Sequence, residues 1–181
     1  SMGIYVFNKQ TLIQRLVEDA ADSGSSHDFG HAVLPLMLKR DKLAAFKYNS
    51  YWKDIGTPQS YYASNLDLLP ASPVISLDGR NRVLTGNGHT PPARVYATGR
   101  AYNSIVSPGC IIEGHVENSV LSPGVYVGEK AVVKNSVVMA DACIGRHSFL
   151  QRSLVGEDVM VDNNCFLGFG GAVNSGNGGI T

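Results

Sequence analysis

The sequence predicts an α/β segment followed by a left-handed parallel β-helix, a solenoid of stacked hexapeptide-repeat coils. From Asn118 to Gly168 the chain repeats itself at an interval of 17 residues, and a shorter copy covers 103–117. Before residue 70, helix-like runs alternate with strand-like runs, a pattern typical of α/β domains. A fixed internal period indicates a solenoid. The long aliphatic residues of the repeats recur every six positions, at Leu121, Val127, Val133, Val138, Ile144, Leu150, Val155, Val161 and Leu167.

The residue types within each repeat favour a β-helix over other solenoids. Apolar residues alternate in short runs that are broken by Gly, Pro, Asn and Asp, which predicts short strands with tight corners. Three hexads then close one triangular coil with the large aliphatic side chains inside. Coils stack about 4.8 Å apart, so four coils give a stub roughly 20 Å long. A β-sandwich would not explain why the same columns return at one interval.

The first 70 residues predict three helices and two or three strands. Asn8, Asp28 and Thr57 are suitable N-caps for the helices, and Pro58 suits a first helical position. The strands are too few for a complete sheet, and the chain begins and ends inside apparent elements, so we expect a fragment. The predicted helices cover about 8–21, 28–40 and 57–69. The predicted strands cover 1–7 and 42–48, and 50–55 is either a third strand or an extended turn.

Composition limits the function and the compartment. Fifteen basic residues balance fifteen acidic ones, so nothing favours a nucleic-acid partner or an anionic membrane. The three cysteines lack zinc-type spacing, which indicates a reducing, cytoplasmic location. No apolar run approaches the roughly 20 residues that span a bilayer. We therefore expect a cytoplasmic protein with neither kind of partner.

Asp54 is the first candidate for chemistry. It follows a predicted strand and precedes a capped helix, and strand ends line the ligand crevice of open α/β sheets. A carboxylate there can hold Mg²⁺ bound to phosphates. A turn aspartate that binds the backbone of Gly56 or Thr57 explains the same position, and both interpretations stay open. Trp52, two residues earlier, can share a strand face with Asp54.

Histidines offer weaker candidates. His27 and His31 are four residues apart but lack a third metal ligand. His115 and His147 lie at the same point of their predicted coils, which suggests either bases of a β-helix acyltransferase or surface corner residues. The glycines after residue 167 are not followed by a helix pattern, so they do not predict a phosphate loop.

Several motifs resemble one family, the bacterial type of glucose-1-phosphate adenylyltransferase. They span nearly the whole chain in the correct order: Ser1–Phe7, Ser25–Gly30, Tyr51–Thr57, Ser60–Tyr62, Asn65–Leu69, the connector with Pro91-Pro92-Ala93, and the NSVLSPGV repeat. The resemblance implies three segments. Residues 1–70 are the C-terminal part of a Rossmann-like nucleotidyltransferase domain, 71–102 a connector, and 103–181 a β-helix domain truncated at its C-terminal end.

The resemblance also implies a reaction and its residues. ATP and glucose 1-phosphate would give ADP-glucose and pyrophosphate with Mg²⁺ as the cofactor. By motif match, Asp54 would be one of two metal-binding aspartates. The positions that match the surroundings of the glucose moiety are Ser1, Tyr5, Asp28, Phe29 and Trp52.

The family further implies a tetramer assembled through its β-helix domains and a regulatory site, for which Arg80, Arg82 and Arg94 are possible anion contacts. We expect the chain alone to be inactive, because the upstream half of the phosphate site is missing from it. One alternative is a non-catalytic regulatory or assembly subunit of the same enzyme. A hexapeptide-repeat acyltransferase is the less favoured alternative.

Overall fold

The computed structural model describes residues 1–73, 75, 77 and 90–168. These residues belong to two compact units, Ser1–Trp52 and Lys53–Thr181. The helices are α1 (Lys9–Ala21), a π-helical turn (Phe29–Val33), α2 (Leu34–Arg40) and α3 (Pro58–Leu66). None of these helices is both long and apolar enough to cross a bilayer.

The first unit contains α1, the π-helical turn and α2. Asn8 caps α1 as predicted, because its side chain accepts hydrogen bonds from two amides of the first turn. The second predicted helix begins with the π turn, which leads into α2 at Leu34. Pro35 lies in the first turn of α2, where a missing amide is tolerated. The buried apolar side chains of this unit are Val33 in the π-helical turn and Met37 in α2.

The segments considered as strands in the first 55 residues form no ladder. No described residue before Arg94 belongs to a β-strand, so 1–7 and 42–48 are corrected to irregular structure, and of the two alternatives for 50–55 the strand is wrong. Val6 is 98% exposed and Phe46 is 91% exposed. Two apolar residues of α1, Ile13 and Val17, are exposed as well. A strand needs a hydrogen-bonded neighbour, and the described part of this unit supplies none.

The second unit contains the parallel β-helix, which confirms the predicted fold class. Its strands form three parallel sheets, with the orders β1-β4-β7-β10-β13, β2-β5-β8-β11-β14 and β3-β6-β9-β12. The first described strand of the solenoid starts at Arg94. The strands are β1 (Arg94–Val95), β2 (Arg100–Tyr102), β3 (Ile105–Val106), β4 (Ile111–Ile112), β5 (His115–Glu117), β6 (Val120–Leu121), β7 (Tyr126–Val127), β8 (Val132–Lys134), β9 (Val137–Val138), β10 (Cys143–Ile144), β11 (Phe149–Gln151), β12 (Leu154–Val155), β13 (Met160–Val161) and β14 (Phe166–Leu167).

The register of the strands follows the sequence period. Tyr126 pairs with Cys143, 17 residues later, and Cys143 pairs with Met160 at the same interval. Ile111 pairs with Tyr126 after 15 residues, which matches the shorter repeat. The predicted inward column is buried up to the last coil, where Leu167 lies at the end of the described stack and is partly exposed. Each coil therefore places its aliphatic residues directly above those of the coil before it.

A ladder of serines runs through the same solenoid. Ser119, Ser136 and Ser153 are buried and occupy equivalent positions in successive coils. The Ser119 hydroxyl accepts from the Ser136 amide at 3.0 Å, and the Ser136 hydroxyl accepts from the Ser153 amide at 3.1 Å. Each hydroxyl donates to the carbonyl two residues earlier in its own coil. The ladder thus satisfies backbone amides that would otherwise be buried without a partner.

Helix α3 packs on the third sheet of the solenoid. Thr57 and Ser60 form a capping box at its start, and Pro58 occupies its first turn, as predicted. The Tyr62 hydroxyl donates to the Asn135 carbonyl at a corner of the coils. By their contacts, residues 53–70 group with the solenoid rather than with residues 1–52. The division of the chain at residues 70 and 102 stays a prediction from sequence.

Candidate functional site

An aromatic cluster occupies the start of the first unit. The ring centroids of Tyr5, Phe7 and Phe29 lie 5.9–6.1 Å apart, and Tyr5 and Phe29 are stacked with an interplanar angle of 17°. The Ser1 hydroxyl donates to the Tyr5 hydroxyl at 2.8 Å. The fold therefore brings together Ser1, Tyr5 and Phe29, three residues for which the family resemblance implies glucose binding.

The cluster borders a groove of about 1270 Å³ within the same unit. Ser1, Tyr5 and Trp52 line it, and the Trp52 side chain is 46% exposed. Much of the remaining wall is apolar and includes Val6 and Phe46. An aromatic surface next to hydroxyl groups suits a sugar ring, which has both apolar faces and polar edges.

Asp28 lies beside Phe29 and caps the π-helical turn. Its Oδ1 accepts from the His31 amide at 2.7 Å and contacts His31 Nδ1 at 2.9 Å. The hydrogen bond from the His31 amide is the main cause that lowers the pKa of Asp28 below its usual value. The Asp28 side chain remains 53% exposed. It is thus an ionised, accessible hydrogen-bond acceptor, as recognition of a sugar hydroxyl requires.

Asp54 belongs to the second unit and is exposed. Its carboxylate lies over Gly56, where an added Cβ would be 3.7 Å from Oδ1. Among the described residues, no group of three His, Cys, Asp or Glu side chains could hold a metal ion. Mg²⁺ is usually held by one or two carboxylates together with substrate phosphates, so Asp54 fits as a single ligand of such an ion. The metal and turn interpretations of Asp54 both remain compatible with this geometry.

The histidine pairs do not form the arrangements considered from sequence. His27 Nδ1 contacts Asp19 and His31 Nδ1 contacts Asp28, so the two rings serve different carboxylates. His115 pairs with Val132 in β8, and Val132 pairs in turn with Phe149.

His147 instead occupies a corner with φ of 58°. His115 and His147 are therefore not at equivalent points of their coils, which corrects the prediction from sequence. Of the basic residues considered for anion contacts, Arg94 stacks over the Tyr96 ring at 4.5 Å, while Arg80 and Arg82 lie outside the described residues.

Sequence reasoning missed Asp19 and Ser25. Asp19 is the buried residue of α1, and its carboxylate accepts from the Ser25 hydroxyl at 2.5 Å. The available signal was spacing: Asp19 follows Leu12 by seven residues and so returns to the same helix face. A carboxylate at such a position has to find partners within the fold.

Two family models match the chain in succession. Residues 1–70 match the nucleotidyl transferase model, and residues 91–175 match the model of the GlmU-like C-terminal hexapeptide. The first match covers the groove and Asp54, and the second covers the β-helix.

Named relatives agree with both matches. Glucose-1-phosphate adenylyltransferase of Pseudothermotoga lettingae is 47% identical over 135 residues, which are 74% of this chain and 32% of the relative. Those of Acetivibrio thermocellus and Halalkalibacterium halodurans are 44% and 43% identical, over 74% of this chain and 32% and 35% of their own lengths. The chain spans about a third of the length of these relatives. With both segments matched in order and this identity across three quarters of its length, the comparisons confirm the resemblance of the chain to glucose-1-phosphate adenylyltransferases.

Proposed function

We propose that the chain is part of an enzyme that forms ADP-glucose and pyrophosphate from ATP and glucose 1-phosphate, as in glycogen biosynthesis. One observation carries the proposal: a nucleotidyl transferase match and a hexapeptide match follow each other in a chain 41–47% identical to glucose-1-phosphate adenylyltransferases. The aromatic cluster supports it, because stacked rings beside hydroxyl groups and an ionised aspartate are suited to a hexose.

The reaction needs alignment and charge neutralisation. A phosphate oxygen of glucose 1-phosphate forms a bond to the α-phosphorus of ATP, and the bond from that phosphorus to the β-bridging oxygen breaks. Pyrophosphate then leaves with the electron pair. Bound Mg²⁺ would neutralise the phosphate charges. Asp54 would supply one carboxylate oxygen to that ion.

The sugar contacts of this proposal belong to the first unit. Tyr5 and Phe29 present aromatic surface for the apolar face of the glucose ring, and Trp52 contributes a further aromatic wall of the groove. Asp28 accepts from a sugar hydroxyl, since its carboxylate is ionised and half exposed. The Ser1–Tyr5 hydroxyl pair offers a donor and an acceptor at the same edge.

We further propose that the chain alone is inactive and that the complete enzyme is a cytoplasmic homo-oligomer built through the β-helix. This proposal needs two metal-binding aspartates, of which the motif match identifies Asp54 alone, and the chain spans about a third of the length of its relatives. Met160 and Phe166, in the last two strands of the described residues, are 80% and 68% exposed and could contribute to contacts between copies.

The test measures pyrophosphate release by the full-length protein that carries this chain, with ATP, glucose 1-phosphate and Mg²⁺. We expect activity that falls by orders of magnitude in Asp54→Asn. Asp67→Asn is the matched control, because Asp67 is a carboxylate of the same unit that binds Lys53 at 2.6 Å.

Three outcomes have different meanings. Equal activity of Asp54→Asn and the unmodified enzyme would keep the reaction and reduce Asp54 to a turn residue. An inactive full-length protein, also with other nucleotides and sugar phosphates, would refute the proposed function in favour of a regulatory or assembly subunit. Activity in the isolated chain would refute its proposed inactivity.

A further inference from the structure

The loop between α1 and the π-helical turn is tied down by one buried carboxylate. Asp19 Oδ1 accepts from the Ser25 hydroxyl at 2.5 Å, and Asp19 Oδ2 contacts His27 Nδ1 at 2.9 Å. The Ser25 hydroxyl also accepts from the His27 amide at 3.1 Å. We call these three residues, Asp19, Ser25 and His27, the Asp19 latch.

The protonation states within the latch follow from its geometry. Hydrogen bonds, first from Ser25 and then from His27, lower the pKa of Asp19, so its carboxylate is ionised and only accepts. His27 Nδ1 must therefore carry a proton and donate. The Asp19 side chain is 9% exposed, so an interrupted bond would be replaced by water only with difficulty.

The latch acts on the residues that follow it directly. His27 has φ of 53°, a left-handed conformation that turns the chain at this point. Asp28 comes next and caps the π-helical turn, and Phe29 then stacks on Tyr5. The backbone conformation of His27 therefore determines the positions of the Asp28 carboxylate and the Phe29 ring.

We propose that Asp19 and His27 are positioning residues for sugar binding: through the latch they hold Asp28 and Phe29 in the geometry that receives the hexose. This inference rests on the proposed function, because that function assigns Asp28 and Phe29 to glucose. Neither Asp19 nor His27 contacts the sugar in this arrangement. They act through the loop backbone.

The experiment compares variants of the full-length protein by steady-state kinetics. In Asp19→Asn, the side-chain NH₂ faces either the Ser25 hydroxyl or His27 Nδ1, both of which donate to the carboxylate. One of the two hydrogen bonds of the latch is therefore lost. We expect its KM for glucose 1-phosphate to rise about tenfold, within the range that misplacement of a binding group produces. Its kcat and its KM for ATP should stay within about twofold, since the phosphate-transfer groups do not depend on the latch.

Two further variants separate positioning from stability. His27→Asn keeps a donor near the Nδ1 position and tolerates a left-handed backbone, so its KM for glucose 1-phosphate should stay within about twofold of the unmodified enzyme. Asp22→Asn makes the same chemical change as Asp19→Asn in the same loop, at a carboxylate whose Oδ1 binds the Gly24 amide. It should leave all three kinetic constants unchanged.

A readout without catalysis accompanies the kinetics. In the isolated chain, Asp19→Asn should accelerate hydrogen exchange of the His31 amide, which donates to Asp28, while Asp22→Asn should not. A loss of kcat in Asp19→Asn with unchanged KM values would indicate general destabilisation and overturn the proposal. Unchanged His31 exchange would overturn it as well.

The proposed function and this inference fail in distinguishable ways. If Asp28→Asn raises the KM for glucose 1-phosphate and Asp19→Asn does not, the sugar site stands and the latch is refuted. If neither variant raises it in an active enzyme, the assignment of Asp28 fails together with the latch. An inactive full-length protein refutes the proposed function, and the exchange experiment alone then decides whether the latch holds the loop.

Discussion

The serine ladder makes a specific prediction about stability. In Ser136→Ala, the Ser153 amide loses its only acceptor among the described residues, and Ser153 is 2% exposed. The Lys134 carbonyl keeps a partner, since the Arg152 amide also donates to it at 3.1 Å. The substitution therefore leaves one buried N–H unpaired, which costs about 1–3 kcal/mol.

The assay is urea unfolding of the chain, followed by far-ultraviolet circular dichroism for the solenoid. Trp52 fluorescence reports on the first unit separately, because Trp52 is the only tryptophan. A loss of about 2 kcal/mol at a slope of about 2 kcal/mol/M moves the midpoint by about 1 M urea. Ser119→Ala should cost a similar amount, because it removes the acceptor of the buried Ser136 amide.

Ser122→Ala is the matched control. Ser122 also lies at a strand end of the solenoid, but its amide donates to the Val138 carbonyl, and the equivalent amide of the next coil, Met139, donates to Val155. This variant should stay within about 0.5 kcal/mol of the unmodified chain. If Ser136→Ala and Ser122→Ala unfold at the same urea concentration, the reasoning about the ladder is wrong.

Two further predictions concern the same solenoid. A Cβ at Gly114 would lie 2.4 Å from the Ala131 carbonyl oxygen, so Gly114→Ala should cost about 1–3 kcal/mol, while Gly156→Ala, with only a 3.5 Å contact, should be nearly neutral in thermal unfolding. Equal melting temperatures of the two variants would contradict this. A hydrogen bond from Lys134 lowers the pKa of Glu117 in the folded chain below its ordinary value of 4.5. Ionised Glu117 therefore stabilises the folded chain fully above about pH 4.5, and this stabilisation is lost as the pH falls through the folded-state pKa. Glu117→Gln should therefore weaken the pH dependence of the unfolding midpoint below about pH 4.5, and an unchanged acid limb would contradict the assignment.

Local signals in the sequence were sufficient for the helices. Asn8 and Thr57 each cap the helix they were assigned to, because a capping side chain bonds only to amides two or three residues away. The strands of the first unit could not be predicted in the same way. The segments around Val6 and Phe46 have strand-like sequences, but a ladder requires a second strand from a distant part of the chain. No described strand pairs with either segment.

The candidate site shows the same division. Motif resemblance selected Ser1, Tyr5 and Phe29, and the fold brings their side chains together. It gave no indication of Asp19, whose role depends on a loop folding back on α1. Counting along the predicted coils placed His115 and His147 at equivalent positions, but His115 pairs with Val132 and Val132 pairs with Phe149, so Phe149 is the equivalent of His115.

The sequence by itself determined the β-helix, its inward columns and its resemblance to glucose-1-phosphate adenylyltransferases. In a solenoid each residue stacks on the residue one period away, so a repeat of 17 fixes both the neighbour and the face. Only the tertiary structure decided the contacts of the Asp19 latch, the aromatic cluster and the packing of α3 on the third sheet. Those contacts join segments that no period relates, and their geometry depends on how the whole chain folds.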